Sequence, residues 1–238
     1  MSELLFPAPA LVSAPVRGQS GRVPIRRIFC VGRNYEAHAR EMGAAVDREA
    51  PFYFTKSAEH CVASGSTVPY PPGTSNYHYE MELVVVIGAP AFRVTADRAL
   101  DCVFGYACGL DMTRRDLQSA AKDQRRPWDL GKDVEQSAVL SEIVPADRIG
   151  HPAAGRIELR VNGVTRQSSD IGDMIHGVAD VVAHLSRYYH LQPGDVIFTG
   201  TPEGVISGYP KDKQVWLKSG DKLVTSIEKL GDLEFKLT

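Results

Sequence analysis

Short hydrophobic runs bounded by glycine or proline dominate the chain, and they predict a strand-rich α+β fold with a few helices. Residues 76–88 predict a strand, because β-branched residues follow Leu83 and a Gly-Ala-Pro sequence ends the run. Residues 103–111 are apolar nearly throughout and predict a buried strand that ends at Asp111. Further strands are predicted at 25–31, at 51–56, from 196 onward and near the C-terminus, with a hairpin over 157–167 around Asn162-Gly163.

Helical periodicity is clearest over residues 173–190, where apolar side chains fall on one stripe. Shorter helices are predicted at 33–42, 95–100 and 114–122. For the last of these, Thr113 followed by Asp116 resembles a capping box.

Residues 1–24 are proline-rich and weakly periodic, so we expect an N-terminal arm followed by a single domain over 25–238. With 43% hydrophobic residues and a net charge of −2, the composition gives no electrostatic reason to expect nucleic acid or a membrane as partner. The sequence shows neither a secretory signal nor an apolar run of transmembrane length, so we expect a soluble, cytoplasmic protein. The four cysteines form no C-x-x-C pair, which argues against a zinc or thioredoxin-like site.

Glu80 and Glu82 are the first candidates for a functional site. Side chains alternate between the faces of a strand, so these two carboxylates point the same way. They repel each other unless one is protonated or a cation neutralises both. A hard divalent ion such as Mg²⁺, Mn²⁺ or Ca²⁺ suits an all-oxygen site. The alternative is an edge strand whose polar face is hydrated.

Asp111 ends an otherwise apolar strand, where a carboxylate is costly unless it is hydrogen-bonded, caps a helix or binds a metal. As a cap it would serve the helix that begins near Thr113. With Glu80 and Glu82 it would make three carboxylates, leaving about three positions of an octahedral ion for substrate or water. Such an open site suits catalysis better than a structural role.

His38 and Glu41 lie three residues apart and therefore share one face of the predicted helix. The carboxylate would raise the basicity of the imidazole and fix its tautomer, so the pair could activate a water molecule. The alternative is an exposed helix with an ordinary ionic contact. Lys132 is a further candidate, although most lysines lie at the surface.

Arg114, Arg115 and Gln118 follow Asp111 on a short predicted helix. They could bind an anionic ligand held at the metal, or they could simply be hydrated. The turn that contains Gly200 and Thr201 could hold a carboxylate through its amides and hydroxyl, or it could be a turn without a ligand.

In their order and number these motifs resemble the fumarylacetoacetate hydrolase family of metal-dependent enzymes acting on 2-oxo acids and 1,3-dicarbonyls. The resemblance extends from about residue 26 to the C-terminus. It rests on Gly32-Arg-Asn-Tyr35 with His38 and Glu41, Tyr79-Glu-Met-Glu-Leu83, Gly105-Tyr106 leading to Asp111, Arg115-Asp-Leu-Gln118, Gly131-Lys132, Val161-Asn-Gly163, Pro193-Gly-Asp195 and Thr199-Gly-Thr-Pro-Glu-Gly-Val205.

The resemblance implies a role for each candidate. Glu80, Glu82 and Asp111 would hold Mg²⁺ or Mn²⁺, or Ca²⁺. His38 and Glu41 would form a catalytic dyad on a lid over the substrate, with Lys132 as a third catalytic residue. The implied substrate contacts are Arg33, Arg115, Gln118, Lys132, Gly200 and Thr201. The family fold is a β-rich roll, with a mixed sheet wrapped into a barrel-like shape and a few peripheral helices, usually in a homodimer.

A further set of motifs is similar in particular to those of the bacterial fumarylpyruvate hydrolases of gentisate degradation. These motifs are Cys30-Val-Gly-Arg-Asn-Tyr35, His38-Ala-Arg-Glu-Met-Gly43, Asn76-Tyr-His-Tyr-Glu80, Leu110-Asp-Met-Thr-Arg-Arg-Asp-Leu-Gln118 and Arg126-Pro-Trp128. The implied activity is hydrolysis of a carbon–carbon bond in an acylpyruvate, giving fumarate and pyruvate from fumarylpyruvate. His38, oriented by Glu41, would deprotonate the attacking water, and Lys132 would stabilise the oxyanion. The same scaffold also serves oxaloacetate decarboxylases, as well as tautomerases, isomerases, hydratases and decarboxylases that act on 2-oxo dienoates. A non-catalytic metal-binding protein is the remote alternative.

Two segments depart from the family pattern. Relatives commonly continue the lysine motif as Gly-Lys-Ser-Phe-Asp, whereas this chain has Asp-Val-Glu after Lys132. Residues 206–218 form a segment longer than in similar relatives. The first departure affects the expected shape of the substrate pocket, and the second affects either the pocket rim or the dimer contact.

Overall fold

The computed structural model of the protein describes residues 4–238, so the first three residues of the expected arm lie outside the described residues. In the part described, the fold is the strand-rich α+β class that the sequence predicts. The strands are β1 (Ser13–Pro15), β2 (Arg22–Pro24), β3 (Arg27–Gly32), β4 (Phe52–Lys56), β5 (Cys61–Ala63), β6 (Thr67–Val68), β7 (Tyr77–His78), β8 (Met81–Ile87), β9 (Val103–Asp111), β10 (Thr113–Arg114), β11 (Ala138–Leu140), β12 (Val144–Pro145), β13 (Arg156–Val161), β14 (Val164–Asp170), β15 (Asp195–Phe198), β16 (Lys222–Ile227) and β17 (Gly231–Leu237).

The helices are short and lie between the strands. The α-helices are α1 (Glu36–Glu41), α2 (Ala96–Ala99), α3 (Arg115–Asp123), α4 (Asp129–Lys132), α5 (Ala146–Ile149) and α6 (Val178–Leu185). Turns of 3₁₀-helix lie at Ala58–His60, Leu100–Cys102, Ile171–Asp173, Ile206–Gly208 and Lys211–Lys213.

A curled eight-stranded sheet forms the centre of the molecule, with strands in the order β4-β3-β15-β8-β9-β11-β5 and β12 paired to β9. The sheet is mixed, because β3 runs parallel to β15 and β5 parallel to β11 while the other pairs are antiparallel. A second sheet has the order β14-β13-β16-β17-β6. The first sheet thus places β8 and β9 side by side in its interior, where neither is an edge.

Both faces of the central sheet are buried, each by a different part of the chain. On one face, Leu83 and Tyr106 belong to a large core shared with Leu223 and Phe235 of the second sheet. On the other face, Val84 and Phe198 pack in a smaller core with Ala14 and Val16, which flank or lie on the β1–β2 hairpin. A strand buried on both sides accounts for the nearly continuous apolar sequence of β8 and β9.

The strand predictions are confirmed for 103–111 and for the hairpin over 157–167. Asn162 and Gly163 have φ of 50° and 82°, as a type I′ turn requires. The prediction of one strand over 76–88 is wrong in detail. β7 pairs with β10 in a small separate sheet, and β8 begins only at Met81. Glu80 therefore lies immediately before the central strand, and Glu82 lies on it.

Two helices are shorter than predicted. The helix predicted at 33–42 covers only Glu36–Glu41, because Arg33 has a φ of 51° and the Asn34 side chain is bonded to distant carbonyls. The helix predicted at 173–190 covers only Val178–Leu185. In the segment before it, the Ile175 N–H donates to the Asn34 carbonyl at 2.7 Å instead of forming a helical bond.

The helix predicted at 114–122 is found one residue later, as Arg115–Asp123, but without the predicted capping box. Thr113 instead donates its hydroxyl proton to the Asp111 carbonyl, and the Asp116 carboxylate accepts from Thr74. No helix among residues 4–238 is long and apolar enough to cross a membrane. All four cysteines are free thiols.

Candidate active site

Glu80, Glu82 and Asp111 meet where β8 and β9 lie side by side. All three are buried, and one carboxylate oxygen of each lies within 4.8 Å of the other two. The strand register brings this about, since the Asp111 N–H donates to the Glu80 carbonyl at 2.8 Å and Glu82 pairs with Gly109. The hydrated edge strand is therefore not what the chain forms. The sequence-predicted carboxylate cluster is present in the interior of the sheet.

Lys132, at the end of α4, is buried among these carboxylates instead of lying at the surface. Its ammonium donates to Glu80 Oε2 at 2.6 Å, to Asp111 Oδ2 at 2.7 Å and to Thr113 Oγ1 at 2.9 Å. It also lies 4.8 Å from the centre of the Phe54 ring. All three ammonium protons are thus directed at oxygen atoms, and Asp111 is a partner of this lysine and not a helix cap.

Lys56 is a second buried lysine of the site, and the sequence analysis did not select it. It ends β4 and lies 2.9 Å from Asp111 Oδ1. Its ammonium donates to the Met112 carbonyl at 3.1 Å, to Ser137 Oγ at 2.8 Å and to the Lys132 carbonyl. Because it joins three chain segments around Asp111, Lys56 fixes both a carboxylate and the backbone of the other lysine. Its only sequence signal is a lysine at the end of a hydrophobic strand.

The charges around the cluster are balanced unequally. Burial alone would raise the pKa of Glu80, but the charges of Lys132 and Arg115 hold it well below its ordinary range. The pKa of Glu82 is raised, because it is buried and because the charges of Asp111 and Glu80 oppose its ionisation. Cations of the protein therefore neutralise the Glu80 side of the cluster more fully than the Glu82 side.

Arg115 lies at the start of α3, and its guanidinium reaches Glu80 and Gln118. The same guanidinium lies 3.1 Å from Nδ1 of His78, which is fully buried. Burial, reinforced by the charge of Arg115, lowers the pKa of His78, so the ring is neutral. The other ring nitrogen, Nε2, faces the Ser207 N–H at 3.5 Å. The two substrate-binding candidates on α3 are thus brought together, beside a histidine that the sequence analysis did not select.

His38 and Glu41 lie on α1 at the rim of the cleft, with His38 Nδ1 at 3.4 Å from Glu41 Oε2. His38 is only 5% exposed, so the pair is not an ordinary surface contact. The other oxygen of Glu41 accepts the Gly204 N–H at 3.0 Å. The carboxylate thereby joins the helix to the loop that follows β15.

Gly200 and Thr201 lie in that loop and face the carboxylates. The Gly200 N–H donates to Glu82 Oε2 at 2.7 Å. Gln167 of β14 donates to Thr201 Oγ1 at 2.8 Å and to the Pro202 carbonyl at 2.9 Å, and it accepts the Met81 N–H. Gln167 therefore ties the loop to the beginning of β8. Sequence reasoning missed this glutamine, because its partners lie far away along the chain.

A cleft opens over the carboxylates. Four of the sequence-predicted site residues do not line the cleft, namely Glu41, Asp111, Arg114 and Gly200, whereas the others do. The Arg114 guanidinium instead donates to the Leu130 carbonyl at 3.3 Å. Arg33 lies at its rim with the guanidinium 4.8 Å from the Phe52 ring centre, and the unpredicted Lys122 adds a further cation. The lining residues with acidic or basic side chains are Arg33, His38, Glu80, Glu82, Arg115, Lys122 and Lys132. A cleft with this many cations suits a substrate with more than one carboxylate.

Asp133 follows Lys132, at the position where relatives commonly have serine. Its hydrogen bonds hold the segment that carries Lys132. Its Oδ1 accepts the Ser57 N–H at 2.6 Å and lies 2.7 Å from His60 Nδ1, while Oδ2 accepts the Ser57 hydroxyl at 2.7 Å. These bonds attach the end of α4 to the segment after β4. The departure in sequence thus leaves Lys132 in place.

The three carboxylates fit a hard divalent cation. They supply only oxygen donors, and their like charges are gathered within one buried site. Within the described part of the chain, Asp111 Oδ1 is a buried oxygen that receives no hydrogen bond of normal geometry, although the Lys56 ammonium is near. The incomplete neutralisation of Glu82 also favours a cation at this position.

Comparison with known proteins identifies the family. The sequence profile described as fumarylacetoacetate (FAA) hydrolase C-terminal matches residues 27–238. The chain belongs to the fumarylacetoacetate hydrolase family. This confirms the resemblance that the motifs indicate, and the match spans nearly the whole chain.

Two relatives within this family carry different names. A Ralstonia protein named fumarylpyruvate hydrolase is 53% identical over 194 residues, which are 81% of this chain and 96% of that protein. A mitochondrial oxaloacetate tautomerase of Homo sapiens is 37% identical over 212 residues, covering 89% of this chain and 91% of the human protein.

A solved structure agrees with the fold. The fumarylpyruvate hydrolase of Pseudomonas aeruginosa, in complex with Mn²⁺ and pyruvate, matches with a TM-score of 0.92 and 44% identity, and 99% of each chain is covered. The predicted fumarylacetoacetate hydrolase fold is thereby confirmed along nearly the full length of the chain.

Proposed function

We propose that the protein is a metal-dependent hydrolase that cleaves a carbon–carbon bond of an acylpyruvate, converting fumarylpyruvate to fumarate and pyruvate. The observation that carries the proposal is one cleft that combines the three carboxylates with the His38–Glu41 pair and several cations. It is supported by the identity of 53% to the Ralstonia fumarylpyruvate hydrolase. Fumarylpyruvate carries a carboxylate at each end, which matches a cleft with cations at both its floor and its rim.

Glu80, Glu82 and Asp111 are the residues that would hold the metal in this proposal. A divalent ion held there supplies Lewis-acid stabilisation of the negative charge that develops on the 2-oxo oxygen. Arg115 and Gln118 orient the adjacent carboxylate of the substrate, and Gly200 and Thr201 complete the pocket from the opposite side. The distal carboxylate then lies towards Arg33 and Lys122 at the rim.

His38 is the general base of the proposed reaction. Its Nδ1 faces Glu41, so Nε2 is the nitrogen that takes a proton from water. The resulting hydroxide adds to the carbonyl carbon on the fumaryl side. The bond from that carbon to the methylene group then breaks, the pyruvate enolate leaves, and protonation of its methylene carbon gives pyruvate.

Lys132 has two tasks in this scheme. It holds Glu80 and Asp111 in the observed geometry, and it stabilises the oxyanion by exchanging one of its three oxygen partners for the substrate oxygen. The partner at the longest distance, Thr113, is the one we propose to be exchanged.

Pyruvate release from purified protein tests the proposal. With Mg²⁺ or Mn²⁺ present, we expect fumarylpyruvate to be cleaved with a kcat/KM at least about tenfold above that for acetylpyruvate, since only the former offers a distal carboxylate. A preference for oxaloacetate, measured as enol–keto conversion without pyruvate release, would overturn the assignment in favour of a tautomerase. That second candidate is supported by relatives at 35–38% identity that carry this name.

Four finer features belong to the same proposal. We propose Mg²⁺ as the ion used in the cell, a homodimer as the working assembly, the cytoplasm as location, and a role in gentisate-type aromatic degradation. Activity titrations with Mg²⁺ and Mn²⁺ test the first feature, and the mass in solution tests the second.

A further inference from the structure

The Glu41 carboxylate is held from outside its own helix. Its Oε2 faces His38 Nδ1 at 3.4 Å, while its Oε1 accepts the Gly204 N–H at 3.0 Å. The two oxygens therefore have different partners, one on α1 and one on the loop after β15. The orientation of the carboxylate relative to the imidazole depends on where that loop lies.

Gly208 closes the loop against the same carboxylate. A Cβ atom added there would lie closer than 3.0 Å to the Glu41 carboxyl carbon and to Oε1, which is shorter than a normal van der Waals contact. Gly208 does not have the left-handed φ found at Gly204, whose φ is 92°. The backbone at 208 is therefore open to any residue, and the need for glycine comes from the space that Glu41 occupies.

Hydrogen bonds of the segment 206–218 hold Gly208 in its position beside Glu41. The Gln214 amide donates to the Ser207 carbonyl at 3.3 Å and to the Tyr209 carbonyl at 2.9 Å, closing the turn on itself. The Tyr209 hydroxyl donates to the Arg166 carbonyl at 3.2 Å, which attaches the turn to β14. The Ser207 hydroxyl contacts Met42 Sδ at 3.4 Å, one residue beyond α1. The turn thus contacts both β14 and the residue that follows Glu41.

We propose that residues 204–208 form a seat for the Glu41 carboxylate, and that Gly208 is a positioning residue which acts on His38 through Glu41. The seat holds the carboxylate against Nδ1, selects the imidazole tautomer with its proton on Nδ1, and leaves Nε2 free as base. The expected effect on catalysis rests on the proposed function. The seat itself concerns only how Glu41 is positioned against His38.

Gly208→Ala tests the seat. In ¹⁵N-histidine-labelled, Mg²⁺-loaded protein, we expect the His38 nitrogen signals to move from the Nδ1–H tautomer towards a mixture, and we expect the same change in Glu41→Gln. We expect kcat for fumarylpyruvate to fall about tenfold or more while KM and the affinity for Mn²⁺ change less than about twofold. Gly21→Ala is the matched control, because a Cβ at Gly21 meets nothing within 4 Å.

A second variant separates the seat from a general need for glycine. In a Glu41→Ala background the space beside Gly208 is free, so Gly208→Ala should change neither kcat nor Tm relative to Glu41→Ala alone. If Gly208→Ala fails to fold by itself, folding of the double variant still supports the seat. If Gly208→Ala lowers kcat or Tm equally in the wild-type and the Glu41→Ala backgrounds, the seat is contradicted. An unchanged His38 tautomer in folded Gly208→Ala would also contradict it.

The two proposals fail in different ways. A wild-type protein that does not release pyruvate from fumarylpyruvate contradicts the proposed function, yet the histidine spectra still report on the seat. A wild-type hydrolase whose His38 tautomer and kcat are indifferent to Gly208→Ala contradicts the seat alone.

Discussion

The carboxylate cluster and the His38–Glu41 pair lie in one cleft but are built in different ways. The cluster lies on or beside two interior strands, and two buried lysines from other segments hold it. The pair lies on a six-residue helix whose carboxylate is held by one loop amide and the surface of a glycine. A site made by sheet register is rigid before any ligand arrives, whereas a site on a short helix depends on a few loop contacts. The difference matches the roles that we propose for the two regions, with the metal held on the sheet and the base on a separate helix.

The largest effect should come from breaking the cluster and leaving the pair intact. Glu82→Gln removes one of the carboxylates that we propose hold the metal but keeps an acceptor for the Gly200 N–H. We expect the affinity for Mn²⁺ to fall at least about 100-fold and hydrolysis to fall by about 10³. The metal-free protein should keep its stability within about 1 kcal/mol, since a like charge has been removed. Calorimetric titration with Mn²⁺ measures the affinity, and the exposed Glu234→Gln is the control. An unchanged affinity in Glu82→Gln would contradict a metal role for Glu82.

Lys56→Met tests how strongly the cluster depends on its buried lysines. The variant leaves Asp111 with less compensation and removes the donor to Met112 and Ser137. Loss of one partner from a buried ion pair costs about 3–5 kcal/mol, so we expect a fall of that size in the free energy of unfolding in urea with chelator present. Exposed Lys122→Met should change it by less than about 0.5 kcal/mol. A loss below about 1 kcal/mol for Lys56→Met would show that the cluster does not need this lysine.

His38→Ala breaks the pair and leaves the cluster intact. We expect kcat to fall about 10²-fold, because general-base assistance is lost, while the affinity for Mn²⁺ stays within about twofold. Steady-state kinetics and the same metal titration measure the two quantities, and exposed His190→Ala is the control. Full activity in His38→Ala would exclude this histidine as the base, and a parallel loss of metal would mean that the two regions are not independent.

Asp133→Asn tests the attachment of the segment that carries Lys132 and should have the smallest effect. Burial raises the pKa of Asp133, but hydrogen bonds from Ser57 and His60 outweigh it and lower the pKa below its ordinary value. A carboxyl of this kind stabilises the fold above its unfolded pKa of about 3.9, and the contribution is lost as the pH falls through the folded value. We expect a cost of roughly 1 kcal/mol at pH 7 that shrinks below about pH 4. Urea unfolding between pH 7 and about pH 3 measures this loss of unfolding free energy, and the exposed Asp232→Asn is the control. A loss that does not depend on pH would contradict the ionic explanation.

Local sequence pattern determined those elements whose partners are close along the chain. The strand over 103–111 and the Asn162–Gly163 hairpin were predictable because an apolar run and a two-residue turn carry their own conformational preferences. The carboxylate candidates were predictable because a charged residue on an apolar strand needs a partner. The family motifs then supplied His38, Glu41 and Lys132, which spacing alone left open to surface roles.

Other features were decided by contacts between distant segments. The pattern over 173–190 continues past the helix, but Ile175 bonds to Asn34 because tertiary contacts override local periodicity there. Lys56 is 55 residues from Asp111 along the chain, and nothing near a lysine in the sequence says which carboxylate it will meet. Gly208 looks like any loop glycine until the fold places Glu41 beside it. The sequence therefore determined which groups the site contains, and only the tertiary structure decided their partners, because strand register and loop packing join residues that no local pattern relates.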